Sequence, residues 1–276
     1  MVKGFSSPAD DIFVPTELSS MKDKLEPGLY ETSKNISYGY FFKKLHIENK
    51  KLFAFEDNTS DVIIKDIEKF WSIKDKYAKY KMPFKRGILM YGPPGCGKSS
   101  IISLLTQSVL RSGGIIVKFN INLDTFKNCM RLLRNLEPEM PIIVLMEDLN
   151  YVLDNCDESE VLNMLDGLEK FSHSTVYLAS TNYFKELEDN IKNRPSRFDL
   201  VVEVKPPLAN IRRSYLERLL LDGDEIPNLE QWVKDSEGFS FAHLEELFKS
   251  VFLFENSYDQ TINRIKLMNS SDSNSD

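Results

Sequence analysis

Apolar positions change rhythm several times along this chain, and each change marks an expected element. In "SDVIIKDIEKFW", Ile63, Ile64, Ile67, Phe70 and Trp71 fall on one helical face, with Ser60 placed as an N-cap. Strand-like and helix-like runs then alternate. "RGILMYG" predicts a strand entering a glycine loop, and "KSSIISLLTQSVL" predicts a helix. "GIIVKFNI" predicts a second strand, followed by a helix around "LDTFKNCMRLLRNL"; "PIIVLMED" and "STVYLAST" predict a third and a fourth strand. Continuous apolar strands separated by helices imply an α/β fold: a parallel sheet flanked by helices on both faces. Beyond Pro206 and Pro207 the strands stop, and "ANIRRSYLERLLL", "NLEQWVKDS" and "SFAHLEELFKSVFLF" predict a small all-helical lid.

The ends carry weaker patterns. Between Gly28 and Phe55, "YGYFFKKLHIE" and "KLFAF" predict two or three strands of a short β-rich element. Residues before about 26 are polar, contain Pro8 and Pro15, and read as an irregular arm. The division expected is an arm and β-element over 1–57, a nucleotide-binding α/β domain over 58–205, a helical lid over 206–256 and a polar, largely disordered tail over 257–276.

Composition narrows the function. The 276 residues are 42% hydrophobic and 28% charged, with a net charge of -7 that gives no global basic field to attract nucleic acid. Cys96, Cys129 and Cys156 stand singly, and His46, His173 and His243 do not join them in a metal-ligand pattern. The opening residues "MVKGFSSPADD" lack a signal-like apolar run, and no apolar run approaches the ~18 residues of a membrane span. The expectation is a soluble, cytoplasmic protein with reduced thiols.

The chemistry sits in "YGPPGCGKSS". Gly92, Gly97, Lys98 and Ser99 satisfy G-x-x-x-x-G-K-S/T, a match whose chance occurrence in a chain this long is on the order of 1%. Glycines let the loop from Gly92 through Pro93, Pro94, Gly95, Cys96, Gly97 and Lys98 to Ser99 and Ser100 turn its N–H groups toward a phosphate, at the start of a helix whose dipole favours anions. Lys98 then reaches the β- and γ-phosphates of ATP, and the Ser99 hydroxyl ligates Mg²⁺. The apolar strand "IIVLMED" ends in two carboxylates. Glu147 is assigned to the metal and Asp148 to the attacking water, and strand register alone leaves the reverse open. Asn182, ending "YLASTN", reaches the γ-phosphate or the water from the next strand.

These segments, together with "VLNMLDGL" and "RPSRFD", occur in the order and spacing of an AAA-type ATPase. The chain resembles most the branch that includes the mitochondrial translocase of the Rieske iron–sulfur protein. The likeness covers roughly Ser60 to Val251, and the Glu-Asp order is shared with that branch. The resemblance implies a P-loop AAA+ domain with a helical lid, assembled as a homo-oligomeric ring (hexamer or heptamer). Arg194 and Arg197 would act as arginine fingers on the neighbour's ATP, a device worth roughly 10³ to 10⁵ in rate. The first helix would bring Asp61 and Val62 near the adenine, and hydrolysis would drive remodelling or translocation of a protein client. Two departures shape the expectation. No membrane helix precedes the ATPase segment. In addition, no glycine lies between Gly114 and Gly167, so the aromatic–hydrophobic–glycine loop of peptide-threading unfoldases is missing. His243, in "GFSFAHLEEL", is expected to pack rather than meet nucleotide. The alternative functions are an ATPase acting on nucleic acid through the lysines between Lys65 and Arg86, and a nucleotide-dependent scaffold without turnover.

Overall fold

The computed structural model describes residues 4–9, 11–16, 24–46, 58–192, 194, 196–221 and 223–273. Four strands come first: β1 (Gly4–Ala9), β2 (Ile12–Thr16), β3 (Leu29–Asn35) and β4 (Gly39–Leu45). Helices α1 (Asn58–Ser72) and α2 (Lys74–Lys79) lead into β5 (Lys85–Tyr91), α3 (Lys98–Arg111), β6 (Ile115–Lys118) and α4 (Leu123–Leu136). Then follow β7 (Ile142–Met146), α5 (Leu149–Asn155), α6 (Glu158–Leu165), β8 (Thr175–Thr181), α7 (Asp189–Lys192) and β9 (Leu200–Glu203). Helices α8 (Ala209–Leu219), α9 (Leu229–Asp235), α10 (Phe241–Phe248) and α11 (Tyr258–Ser273) form the lid.

Among the described residues the strands make one nine-stranded sheet, in the order β1-β2-β4-β3-β6-β7-β8-β5-β9. From β3 to β9 every β-bridge across that order is parallel. Side chains alternate between faces, and two cores result. Leu89, Tyr177 and Ala179 enter one core with Phe126, Met130 and Leu165, beneath α4 and α6. Their neighbours Ile88, Met90, Val176 and Leu178 enter the other with Ile63, Ile67 and Phe70 of α1 and Ile101, Ile102 and Leu105 of α3. Every residue of β7 and β8 is buried, which is why β7 reads as an unbroken apolar run and β8 has an apolar centre from Val176 to Ala179. The expected apolar face of α1 is present: Ile63, Ile67 and Phe70 are buried, with Ile64 and Trp71 packed at the edge. The helix begins at Asn58, so Ser60 lies inside it and is not the cap.

Three expectations about the ends are corrected. The arm was expected to be irregular, yet β1 and β2 pair antiparallel from Gly4↔Thr16 to Ala9↔Ile12, and they bury Phe5 and Phe13 in the main core. The β-element is also not a separate body. β3 pairs parallel with β6 through Leu29↔Ile116, Tyr30↔Val117 and Glu31↔Lys118, so the N-terminal strands extend the nucleotide-binding sheet. At the other end, the tail expected to be disordered forms α11, with Ile262 and Ile265 buried beside Trp232, Leu244 and Leu247 in the lid core. The segment "KLFAF" and residues 274–276 lie outside the described residues.

Candidate functional site

The P-loop leaves the carboxyl end of β5 at Tyr91 and enters α3 at Lys98. Its glycines hold backbone angles that side chains rarely adopt, with φ of 149° at Gly92, 73° at Gly95 and 99° at Gly97. A Cβ on Gly92 would lie 2.1 Å from the Val204 carbonyl oxygen, so the loop starts hard against the residue that follows β9. Lys98 Nζ donates to the carbonyls of Gly92 at 2.5 Å and Pro93 at 2.9 Å, folding its ammonium into the loop. Burial pulls that ammonium below the ordinary lysine value. Ser99 and Ser100 are exposed in the first turn of α3, and Cys96 is buried beneath the loop. Desolvation pushes the Cys96 thiol up to about 11, so it stays protonated and offers the loop its backbone N–H.

The other predicted groups arrive through strand register. Tyr91 pairs with Thr181 and Met146 with Ala179, so Gly92, Asn182 and Glu147 leave the same edge of the sheet on three neighbouring strands. That edge is the carboxyl end of parallel strands, where α/β folds place their ligands. Asn182 is exposed there. Glu147 is half-buried, and Asp148 is exposed with φ of 56°, a left-handed conformation that directs the chain sharply into α5.

Three contacts at this edge were not anticipated. Lys118, the last residue of β6, pairs with Glu147 at 3.2 Å. Because β6 and the P-loop strand lie on opposite sides of β7, this pair draws the Glu147 carboxylate away from the phosphate loop. The Asn150 side chain accepts from the Thr181 hydroxyl and donates to the Tyr183 carbonyl, bracing the turn that carries Asn182. The third contact is the lid. Phe241 N, at the start of α10, donates to the Gly95 carbonyl at 3.0 Å. A Cβ on Gly95 would meet Ala242 Cβ at 2.7 Å and Ser240 Oγ at 2.9 Å. His243 packs as expected: its Nδ1 accepts from the Ser240 N–H in a capping box, and its ring meets Phe239 edge-on.

The arginines lie elsewhere. Arg194 is exposed and its guanidinium stands 3.4 Å from Asp166; Arg197 is buried, with its Nε also 3.4 Å from that carboxylate. Gly87, near the start of β5, touches the Arg197 carbonyl, where a Cβ would come within 1.8 Å. Gly92 lies five residues beyond Gly87, a distance of about 17 Å along β5. The arginine loop therefore sits at the opposite end of the strand from its own P-loop. Asp61 and Val62 are exposed in the first turn of α1, while the adjacent Ile63 is buried in the cluster that holds Cys96 and Ile101.

A glycine cradle that an ordinary side chain would fill, a lysine folded into it and carboxylates on the adjoining strand ends define a P-loop nucleotide-binding domain. Residues 88–206 match the model of the ATPase family associated with various cellular activities, AAA. Among curated relatives, the chain is 26% identical over 255 residues to an "AAA ATPase forming ring-shaped complexes" of Corynebacterium kroppenstedtii, covering 78% of this chain and 44% of that protein. It is 28% identical over 161 residues to the "Mitochondrial chaperone BCS1" of Homo sapiens, covering 52% and 37% of the two chains. For the "Probable mitochondrial chaperone BCS1-A" of Dictyostelium discoideum the identity is 28% over 231 residues, covering 78% and 53%. Residues 88–206 are thus similar to an AAA-type ATPase domain, and chaperones named BCS1 are among the relatives of the chain. The alignments span about half or less of the length of these relatives. Among the described residues, no helix is long and apolar enough to cross a membrane.

Proposed function

We propose that this chain binds ATP in the Gly92–Ser100 loop and hydrolyses it at sites shared between the subunits of a homo-oligomeric ring, a hexamer or heptamer, to remodel or translocate a protein partner. The observation that carries the reading is the placement of the arginines. Arg194 and Arg197 lie about 17 Å along β5 from their own P-loop, so any phosphate they reach belongs to another copy. A head-to-tail contact of that kind closes into a ring when its rotation permits. The matched Corynebacterium protein, named as ring-forming, adds support.

Within each site, Lys98 leaves its carbonyl partners to meet the β- and γ-phosphates. Ser99 and Glu147 would hold Mg²⁺, which would supply positive charge beside the phosphate oxygens. Ser99 on the first turn of α3 supports that reading, as does Glu147 just past the end of β7 once its carboxylate leaves Lys118. Asp148 orients the attacking water, and Asn182 steadies it or the terminal phosphate. Arg194, already exposed, extends to the neighbour's phosphates, and Arg197 does so by exchanging Asp166 for phosphate. A cytoplasmic setting belongs to the same reading, supported by three cysteines that stand free.

The test is the ATPase rate per subunit against protein concentration, with Arg194→Ala and Arg197→Ala alongside. The rate should climb with concentration and collapse in the variants while ATP affinity stays near that of the parent. A flat rate that neither substitution alters would remove the shared site, and with it the mechanical basis for acting on a client.

A further inference from the structure

Lys85 is buried, and the chemistry above does not use it. It opens β5, and its Nζ donates to the Ser196 carbonyl and, at 3.5 Å, to the Arg197 carbonyl, with Asp199 at 3.7 Å. Its stem runs beneath Gly167, whose Cβ would stand 3.1 Å from Lys85 Cγ; a φ of 78° also suits that position to glycine. Gly167 follows Asp166, the carboxylate that meets both arginines. The same carboxylate accepts from the Ser196 hydroxyl at 3.0 Å. On the other side, Asp199 accepts from Gly87 N at 2.7 Å and returns its own N–H to the Gly87 carbonyl at 2.8 Å. The arginine loop is therefore gripped twice: Asp166 takes its side chains, and Lys85 takes its backbone.

Burying an ammonium costs several kcal/mol unless it is well paired. Here desolvation lowers its proton affinity and Asp199 partly restores it. A simple packing role would be filled at lower cost by an apolar residue, as Ile88 and Met90 do further along the strand. The charge has a positional use, since two carbonyls of consecutive residues converge on it from the loop that bears Arg194 and Arg197.

We infer that Lys85 is a positioning residue for the arginine loop, fixing at the root of β5 the groups that serve the neighbouring subunit's nucleotide, while the other end of β5 holds the subunit's own nucleotide. This rests on the shared-site reading above. It makes β5 a rigid link of about 20 Å between the site a subunit owns and the site it completes.

The experiment mixes variants of the full chain. Lys98→Ala loses its own nucleotide but keeps an intact arginine loop, whereas Lys85→Met keeps its P-loop and donates a misplaced loop. Alone, Lys85→Met should bind a fluorescent ATP analogue within about twofold of the parent. It should hydrolyse ATP about 100-fold more slowly, the penalty of a catalytic group shifted by about 1 Å. Mixed with Lys98→Ala, it should regain turnover well above the sum of the two, because the Lys98→Ala subunits supply ordered arginines in trans. Lys85→Gln keeps an N–H donor without the charge, and decides the matter if the Met variant does not fold. Arg194→Ala and Arg197→Ala, each mixed with Lys98→Ala, are the benchmarks. Rescue of an arginine variant without rescue of the Lys85 variants would overturn the role of Lys85 and leave the shared site standing. Failure of both arginine mixtures would overturn the shared site, and this inference with it. Parent-like turnover of Lys85→Met alone would also overturn it.

Discussion

The P-loop was legible residue by residue because its chemistry is contiguous: nine successive positions supply the turns, the cation and the hydroxyl. Lys118, Asp166 and Lys85 were not, because each acquires meaning from a partner brought alongside by the sheet. A lysine ending "IIVK" and an aspartate in "LDGL" look like ordinary exposed residues until register places them against Glu147 and the arginine loop. The adjacent acids remain distinguishable by experiment. With Glu147 on the metal and Asp148 on the water, Asp148→Asn should stop turnover while ATP still binds. Glu147→Gln should instead raise the Mg²⁺ concentration needed for half-maximal rate. Titrating Mg²⁺ against initial rate for both variants decides it, and an exchange of the two phenotypes would swap the roles. Lys118 sharpens the expectation: its ion pair holds Glu147 on the β6 side, so under that assignment Glu147 must first change partner.

Among the elements, β5 to β8 with α3 and α4 were readable because burial on both faces gives each strand a largely apolar run, whereas the four residues of β9, alternately exposed, gave no such run. The N-terminal hairpin was hidden by its prolines. β1 is an edge strand that tolerates Pro8, and Pro15 of β2 lies beyond the two pairs, Ile12↔Lys43 and Phe13↔Phe42, that join β2 to β4. The last helix was hidden by polarity, since its buried stripe rests mainly on Ile262 and Ile265. The contact between α10 and the P-loop was signalled in sequence only by "GFSFAHLEEL", whose His243 was expected to pack, and it is open to test. In Gly95→Ala the new methyl would collide with Ala242 and Ser240 at a φ of 73°, which costs on the order of 1–2 kcal/mol in backbone strain alone. The Phe241 N–H, which donates to the Gly95 carbonyl, should then exchange with solvent faster, and ATP affinity should fall with it. Unchanged protection of that amide would mean that the lid does not depend on the loop for its seat.

Across the whole molecule, one sheet runs from β1 to β9, and this determines how the protein should unfold. Phe5, Phe13, Tyr30 and Phe42 of the N-terminal strands share a core with Phe126 and Met130 of α4 and with Tyr177 of β8. Three further links cross the β3–β6 seam: Glu137 accepts from Leu25 N at 2.7 Å, the Asn120 amide donates to the Thr32 carbonyl, and the Cys129 thiol reaches the Ser33 and Phe41 carbonyls. An appended element would melt by itself; this one should melt with the nucleotide domain. Phe42 is the sensitive position, fully buried and packed edge-on against Phe5 and Tyr30 at 6.2 and 6.4 Å between ring centres. Phe42→Ala should cost about 3–5 kcal/mol. The loss should appear in a denaturant titration followed by the fluorescence of Trp71, which packs at the edge of the opposite core, in a Trp232→Phe background that removes the tryptophan of the lid. Since ATP binds only the folded P-loop, saturating nucleotide should restore part of the lost midpoint. A variant whose Trp71 transition is unmoved, with fast exchange confined to β1–β4, would show that the N-terminal strands fold as a separate unit despite the continuous sheet.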